Sequence, residues 1–307
     1  MNRVIFYVIY PIIWLLSILP MPILYGIADI LFFLHFYIFG YRKKVVLKNI
    51  AIAFPEKDVK EQEAIAKKFN KHFIDLLVES IKSFTISEKE ILKRYQYKNP
   101  ELVNKYAQEG KSIALVSAHL ANWEWSTSLG LVLGTNVFGA YSRIRNDIFE
   151  NKVKETRQKF GIKGATTSNF INLINSNFKN NIQGAYILLS DQSPRLSKAY
   201  YWTLFFGTKV PVHTGAEMLS KKHNMVVINY RSKKIKRGYY EVDFELITET
   251  PNLYKDYEIT DQFLKITERN IREQPECYLW THKRFKHHDR YKDWQKIMLE
   301  KQKEKKI

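Results

Sequence analysis

The chain reads as an α/β protein, a mostly parallel central sheet flanked by helices, carried behind an N-terminal membrane-anchoring helix. Three observations support that expectation. From Ile113 onward, short apolar runs alternate with segments of helical period. Two of the runs, Ile113–Val116 and Ala185–Leu189, are apolar throughout and read as strands of the fully buried kind. Ahead of them stands Val4 to Leu19, apolar almost from end to end.

The anchor is the first element. Val4–Leu19 is slightly short for a straight span and contains Pro11, a possible kink. It has no small-residue cleavage site, which argues against a removable signal peptide. After Pro20 and Pro22 a second apolar stretch, Ile23–Phe39, carries Asp29 and His35 and reads as interfacial or packed on the soluble domain. Residues 1–40 are thus expected to hold the anchor and the interfacial helix. Residues 41–307 are expected to form one α/β domain with a basic tail. Only Arg3 precedes the first stretch, whereas Arg42, Lys43, Lys44 and most other cations follow it, which places the bulk of the chain on the cytoplasmic face.

A net charge of +18 over 307 residues calls for an anionic partner: nucleic acid, acidic lipid or an acidic protein. A nucleic-acid binder has little use for a membrane anchor, so lipid or an acidic protein is preferred. The single cysteine, Cys277, excludes an intramolecular disulfide and a cysteine-based zinc cluster. His287 and His288 have no partners at metal-ligand spacing, so no metal is expected.

Within the domain, Val45–Phe54 is helical and stops at Pro55, and Asp58 caps a long amphipathic helix, Val59–Ser83. His72 and Asp75 on that helix read as surface or packing groups. Ser87 caps a short helix through Arg94. Gly110 ends another and delivers the chain into the strand at Ile113. Next come a helix opening at Trp125, a strand Val137–Tyr141, and helices Asp147–Phe160 and Asn169–Asn177. The strand Ala185–Leu189 then leads into an aromatic loop, Tyr200–Gly207. Helix His213–His223, strands Met225–Tyr230 and Tyr239–Leu246 paired antiparallel, and helix Thr260–Glu273 complete the pattern.

The chemistry is expected where strands end. His119, the Tyr141–Asp147 turn and Asp191 each stand just past a strand, and parallel strands would bring such ends to one rim. Residues five apart on a helix point about 140° apart. His119 and Glu124 can therefore meet only if the histidine is on the loop and the glutamate in the first helical turn. There the carboxylate would hold one ring nitrogen and leave the other free to take a proton. A surface histidine beside an unrelated glutamate is the plain alternative.

His119–Glu124 resembles the His-x4-Asp/Glu signature of glycerolipid acyltransferases, and the chain is similar to the bacterial lipid A biosynthesis (late) acyltransferases. The matching features occur in order. They are the hydrophobic N-terminus, Tyr41-Arg42-Lys43-Lys44, Asn49 to Pro55, and His119-Leu120-Ala121-Asn122-Trp123-Glu124. Asp191-Gln192-Ser193-Pro194, Phe205-Phe206-Gly207, and Tyr278 to Lys286 follow. The segment Tyr141-Ser142-Arg143-Ile144-Arg145-Asn146-Asp147 departs from the pattern by placing its arginine one position late.

The resemblance implies transfer of a fatty acyl chain from an acyl carrier protein thioester to a hydroxyl of a lipid A precursor, at the inner membrane. His119 would be the general base and Glu124 its orienting acid, with no acyl-enzyme and no cofactor; acyl carrier protein or coenzyme A would present the donor. Asn122, Arg143, Arg145, Asn146, Asp191, Gln192 and Arg195 are the candidate substrate-binding residues, the arginines because guanidinium forks match phosphate oxygens. Asp191 also reads as a group that orients a basic residue or the acceptor. Another membrane lipid as acceptor, or a non-enzymatic membrane-tethered basic protein, are the competing readings.

Overall fold

The computed structural model describes residues 2–143 and 146–304. Two apolar helices come first, α1 (Asn2–Ile18) and α2 (Met21–Phe33), the second prolonged by a π-helical turn, Leu34–Phe39. Then follow α3 (Lys43–Ala53), α4 (Val59–Lys82), α5 (Glu88–Arg94), β1 (Tyr95–Tyr97), α6 (Glu101–Gln108) and β2 (Ile113–Ser117). A 3-10 segment, Trp123–Leu131, leads to β3 (Val137–Tyr141), α7 (Asp147–Gln158), β4 (Ile162–Thr166), α8 (Phe170–Lys179) and β5 (Ala185–Leu189). The last part holds β6 (Tyr201–Phe205), β7 (Thr208–Val212), α9 (Gly215–His223), β8 (Val226–Lys236), β9 (Tyr239–Thr248), α10 (Glu258–Glu273) and α11 (Tyr291–Glu304).

Seven strands form one sheet in the order β1-β9-β8-β2-β5-β3-β4. All neighbours are parallel except the β8–β9 hairpin. β2 is the central strand and is buried at every position. Its alternate residues feed two cores: Ala114 and Val116 join Phe138, Tyr186 and Val227 on one face, and Ile113 and Leu115 join Val137, Ala185 and Val226 on the other. This is why the strand sequence is apolar without alternation. β2 pairs with β5 in register from Ile113 opposite Ala185 to Ser117 opposite Leu189. Their C-terminal ends therefore lie side by side, with β3 next to β5.

α4 starts where the sequence sets its cap. The Asp58 carboxylate accepts from Glu61 N at 2.8 Å and the Glu61 carboxylate accepts from Asp58 N at 3.0 Å, a reciprocal capping box.

Four expectations need correction. The first apolar stretch is not the one of spanning length: Met21–Phe39, with 19 residues, is long and apolar enough to cross a membrane, whereas Phe6–Ile18 is shorter. Pro20 separates the two, and Pro22 sits in the first turn of α2, where its missing N–H costs nothing. Asp29 does not interrupt α2 because Arg237, at 2.8 Å, and Lys71, at 3.5 Å, match its charge. One face of α2 (Met21, Leu24, Ala28) packs with Ile74 and Val78 of α4, and its other face is exposed at Ile23, Ile30 and Phe33.

The aromatic loop is the second correction. It is a hairpin, β6–β7, turned at Phe206 and Gly207, both with positive φ. The third is the helix after β2, which consists of 3-10 turns starting at Trp123. The fourth is two strands unrecognised in the sequence, β1 and β4. Both lie at sheet edges; β1 has three residues, and β4, Ile-Lys-Gly-Ala-Thr, has only one large apolar residue.

Candidate active site

The end of β2 carries the chain into a tightly held turn. Ala121 has φ +47, a left-handed conformation that a side chain disfavours. The C-terminal block holds it there: Ala121 N donates to Cys277 O at 2.9 Å and Leu279 N donates to His119 O at 3.1 Å. That block is itself fixed from the N-terminal side. Arg42 donates to Thr281 O at 2.9 Å, and Asn49 donates to Trp280 O at 2.8 Å and His282 O at 2.7 Å. Motifs far apart in sequence thus converge on one loop.

His119 Nδ1 donates to Asp191 Oδ1 at 2.7 Å, from the adjacent strand end. Asp191 is buried, with the Tyr278 hydroxyl beside it. The bond fixes the tautomer and leaves Nε2 as the acceptor, toward which the Gln192 amide donates at 3.3 Å. The Trp123 ring stands edge-on to the imidazole at 5.4 Å.

The charges reinforce one another. Burial alone would lower the His119 pKa, but the Asp191 carboxylate, its hydrogen bond and the Glu124 charge together hold it above the usual value. Burial alone would raise Asp191, but the imidazole and backbone N–H groups hold it below the usual carboxylate range.

Glu124 makes no hydrogen bond to His119. It lies in the first 3-10 turn, as expected of it, but its carboxylate faces Arg157 of α7, 3.4 Å away. The Asn122 side chain, which accepts from Trp125 N at 3.0 Å, caps this turn. The expected His119–Glu124 pair is thus replaced by His119–Asp191.

Other candidates take other positions. Asn122 is buried and does not line the cavity; it donates to Glu79 at 2.6 Å. Asn146 caps α7, accepting from Ile148 N and Phe149 N at 3.2 Å each. Arg143 is exposed and pairs along α7 with Asp147 at 3.4 Å and Glu150 at 3.7 Å. Arg145 lies outside the described residues. Arg195 is exposed beside Lys286. The sequence does not mark Arg157 or His213 as site residues, and it shows Tyr278 only as the head of the C-terminal motif. Arg157 sits mid-helix with no motif to mark it, and His213 was placed only as the start of α9.

His119, Glu124 and Gln192 face a cavity of 570 Å³ whose wall also includes Lys154, Arg157 and His213. Its apolar lining comes from Phe170 and Ile171 of α8, Leu188 and Leu189 of β5, and Leu219 of α9. A second cavity of 310 Å³ shares Glu124, Thr127 and Arg157 with the first and is walled by Ile13, Ile81, Phe84, Phe149 and Val153. Ile13 belongs to α1, so the space near the site adjoins the first apolar helix.

His282 is neutral, its pKa pushed down to about 4 by burial against the opposing field of Asp191, and its ring accepts from Ser193 N at 3.0 Å. Burial pushes the Cys277 thiol up to about 12, which makes it a poor nucleophile. Among the described residues no group of three or more His, Cys, Asp or Glu side chains is placed to hold a metal. The arrangement can accept a proton at a fixed nitrogen, next to a mixed polar and apolar cavity flanked by cations.

No curated protein matches the sequence. A family model described as bacterial lipid A biosynthesis acyltransferase matches residues 1–287.

Proposed function

The chain belongs to the bacterial lipid A biosynthesis acyltransferase family and is an acyltransferase; from that premise we propose that it moves a fatty acyl chain from an acyl carrier protein thioester to a hydroxyl of a lipid A precursor. The observation that carries the proposal is the His119–Asp191 pair, with Nε2 facing the 570 Å³ cavity. Nε2 accepts the proton of the acceptor hydroxyl as its oxygen attacks the thioester carbonyl. Asp191 keeps the reactive tautomer and stabilises the imidazolium that forms. Collapse of the tetrahedral intermediate expels the carrier thiolate, which takes the proton back from His119. No acyl-enzyme intervenes, consistent with the raised Cys277 thiol.

In this reading Glu124 acts with Arg157 and not as the tautomer-fixing acid. Arg157 and Lys154 at the cavity wall receive the acceptor phosphates, and Arg143, Arg145 and Arg195 are the sequence candidates for the same role. The apolar outer faces of α1 and α2, followed by Arg42, Lys43 and Lys44, support placement at the inner membrane with the catalytic domain on its cytoplasmic face. The basic C-terminal block, including Lys283 and Lys286, suits an acidic carrier protein.

Mass spectrometry of lipids extracted with and without the gene tests the acceptor. The proposal expects lipid A species lacking one acyl chain when the gene is absent. Unchanged lipid A with a missing acyl chain on a phospholipid or aminolipid would move the activity to that acceptor. Unchanged lipids of every class would contradict the enzyme reading.

A further inference from the structure

Behind the His119 loop lies a carboxylate that the proposed chemistry does not use. Glu79, in the last turn of α4, is fully buried. Its Oε1 accepts from the Tyr25 hydroxyl of α2 at 2.7 Å. Its Oε2 accepts from the Tyr240 hydroxyl of β9 at 2.8 Å and from Asn122 Nδ2 at 2.6 Å. Its backbone carbonyl accepts from the Trp125 indole at 3.3 Å. The Asn122 amide is therefore held at both ends, by Glu79 on its nitrogen and by Trp125 N on its oxygen. Asn122 is three residues from His119 and next to the left-handed Ala121.

Burying a carboxylate costs free energy that an apolar filler would not. Burial pushes this one up to about 7. What the carboxylate supplies is acceptance in several directions at once, which ties one helix, one strand and one loop to a common point. Tyr25 belongs to the helix that is long and apolar enough to cross a membrane. A side chain on Gly238 would strike the Tyr25 hydroxyl, its Cβ only 2.0 Å away, so the β8–β9 turn approaches closely to keep that hydroxyl in place.

We propose that Glu79 is a positioning residue for the His119 loop, and that through Tyr25 it makes the seating of α2 part of the catalytic geometry. This rests on the acyltransferase reading of His119. α2 is then more than an attachment: displacing it shifts Asn122, the turn at Ala121 and the direction of His119 Nε2.

The test uses the full chain and two variants, Tyr25→Phe, which removes one hydroxyl, and Glu79→Gln, which keeps the volume. Three quantities are read: kcat and KM for transfer to the lipid A precursor in detergent micelles, binding to vesicles containing anionic phospholipid, and the His119 ring titration by NMR on labelled histidine. For Tyr25→Phe the expected result is a loss in kcat on the order of tenfold to a hundredfold, as for a small misplacement of a reacting group. KM stays within about twofold, vesicle binding is retained, and the His119 midpoint moves. Glu79→Gln is expected to change kcat and the midpoint in the same direction and further. Wild-type kcat with an unmoved His119 midpoint in either folded variant overturns the proposal, as does a loss confined to KM or to vesicle binding. Should the wild-type chain transfer nothing, the acyltransferase reading fails, and the His119 titration still decides whether Glu79 positions the loop.

Discussion

At the scale of single residues the account rests on which carboxylate serves His119. In the proposed mechanism His119 must be neutral to act, so activity is expected to fall as pH drops through its pKa. That pKa is raised, and the acid limb of kcat/KM is therefore expected above the ordinary histidine value. Asp191→Asn removes the largest raising influence and leaves burial dominant, so the limb should move to lower pH while the rate falls by about 10²–10⁴-fold. A limb that stays in place in Asp191→Asn would show that another group titrates. Glu124→Gln breaks the contact with Arg157 and should cost less in kcat than Asp191→Asn, with its effect mainly on acceptor KM. The sequence shows both carboxylates. It favours Glu124 because proximity along the chain is visible there, whereas Asp191 stands 72 positions from His119 and becomes a neighbour only through the β2–β5 register.

At the scale of elements, caps and close approaches decide what each segment tolerates. Asp58→Ala removes the α4 capping box and is expected to cost about 1 kcal/mol in denaturant unfolding, without effect on transfer. Gly130→Ala is expected to cost more, about 3 kcal/mol, because its Cβ would lie 2.1 Å from Phe160 O. A Gly130→Ala protein as stable as wild type would mean that the 3-10 segment does not pack on that turn. Caps and apolar runs are local, which is why α4, α5, β2, β3 and β5 are legible from sequence to within a residue or two. The β6–β7 hairpin is less so, since Phe206-Gly207 lacks the usual turn pair and its aromatics, Trp202 and Phe205, are buried by the tertiary fold. β4 is paired in register with β3 yet has no strand-like composition of its own.

At the scale of the whole molecule, the apolar helices and the sheet rim that carries His119 form one connected body. Arg237 donates to Asp29 of α2 and to Asp75 of α4, at 2.8 and 2.6 Å, so α2 is bonded as well as packed to the domain. His72 and Asp75, read as surface or packing groups, are both buried, Asp75 within this network. The exposed residues Trp14 and Leu15 of α1 and Ile30 and Phe33 of α2 are the surfaces expected to meet lipid. Leu15→Asp should weaken binding to anionic vesicles in a flotation assay, and raising the salt concentration should weaken wild-type binding as its cations are screened. Flotation unchanged by both would place lipid contact elsewhere. The central claim, that one imidazole at the rim of the sheet carries out acyl transfer, is tested most directly by a single comparison. Acyl transfer from an acyl carrier protein to a purified lipid A precursor is measured for wild type and for His119→Ala, both shown folded by circular dichroism. The account predicts transfer by wild type and a loss of about 10³-fold or more in His119→Ala; turnover by His119→Ala within a few fold of wild type would contradict it.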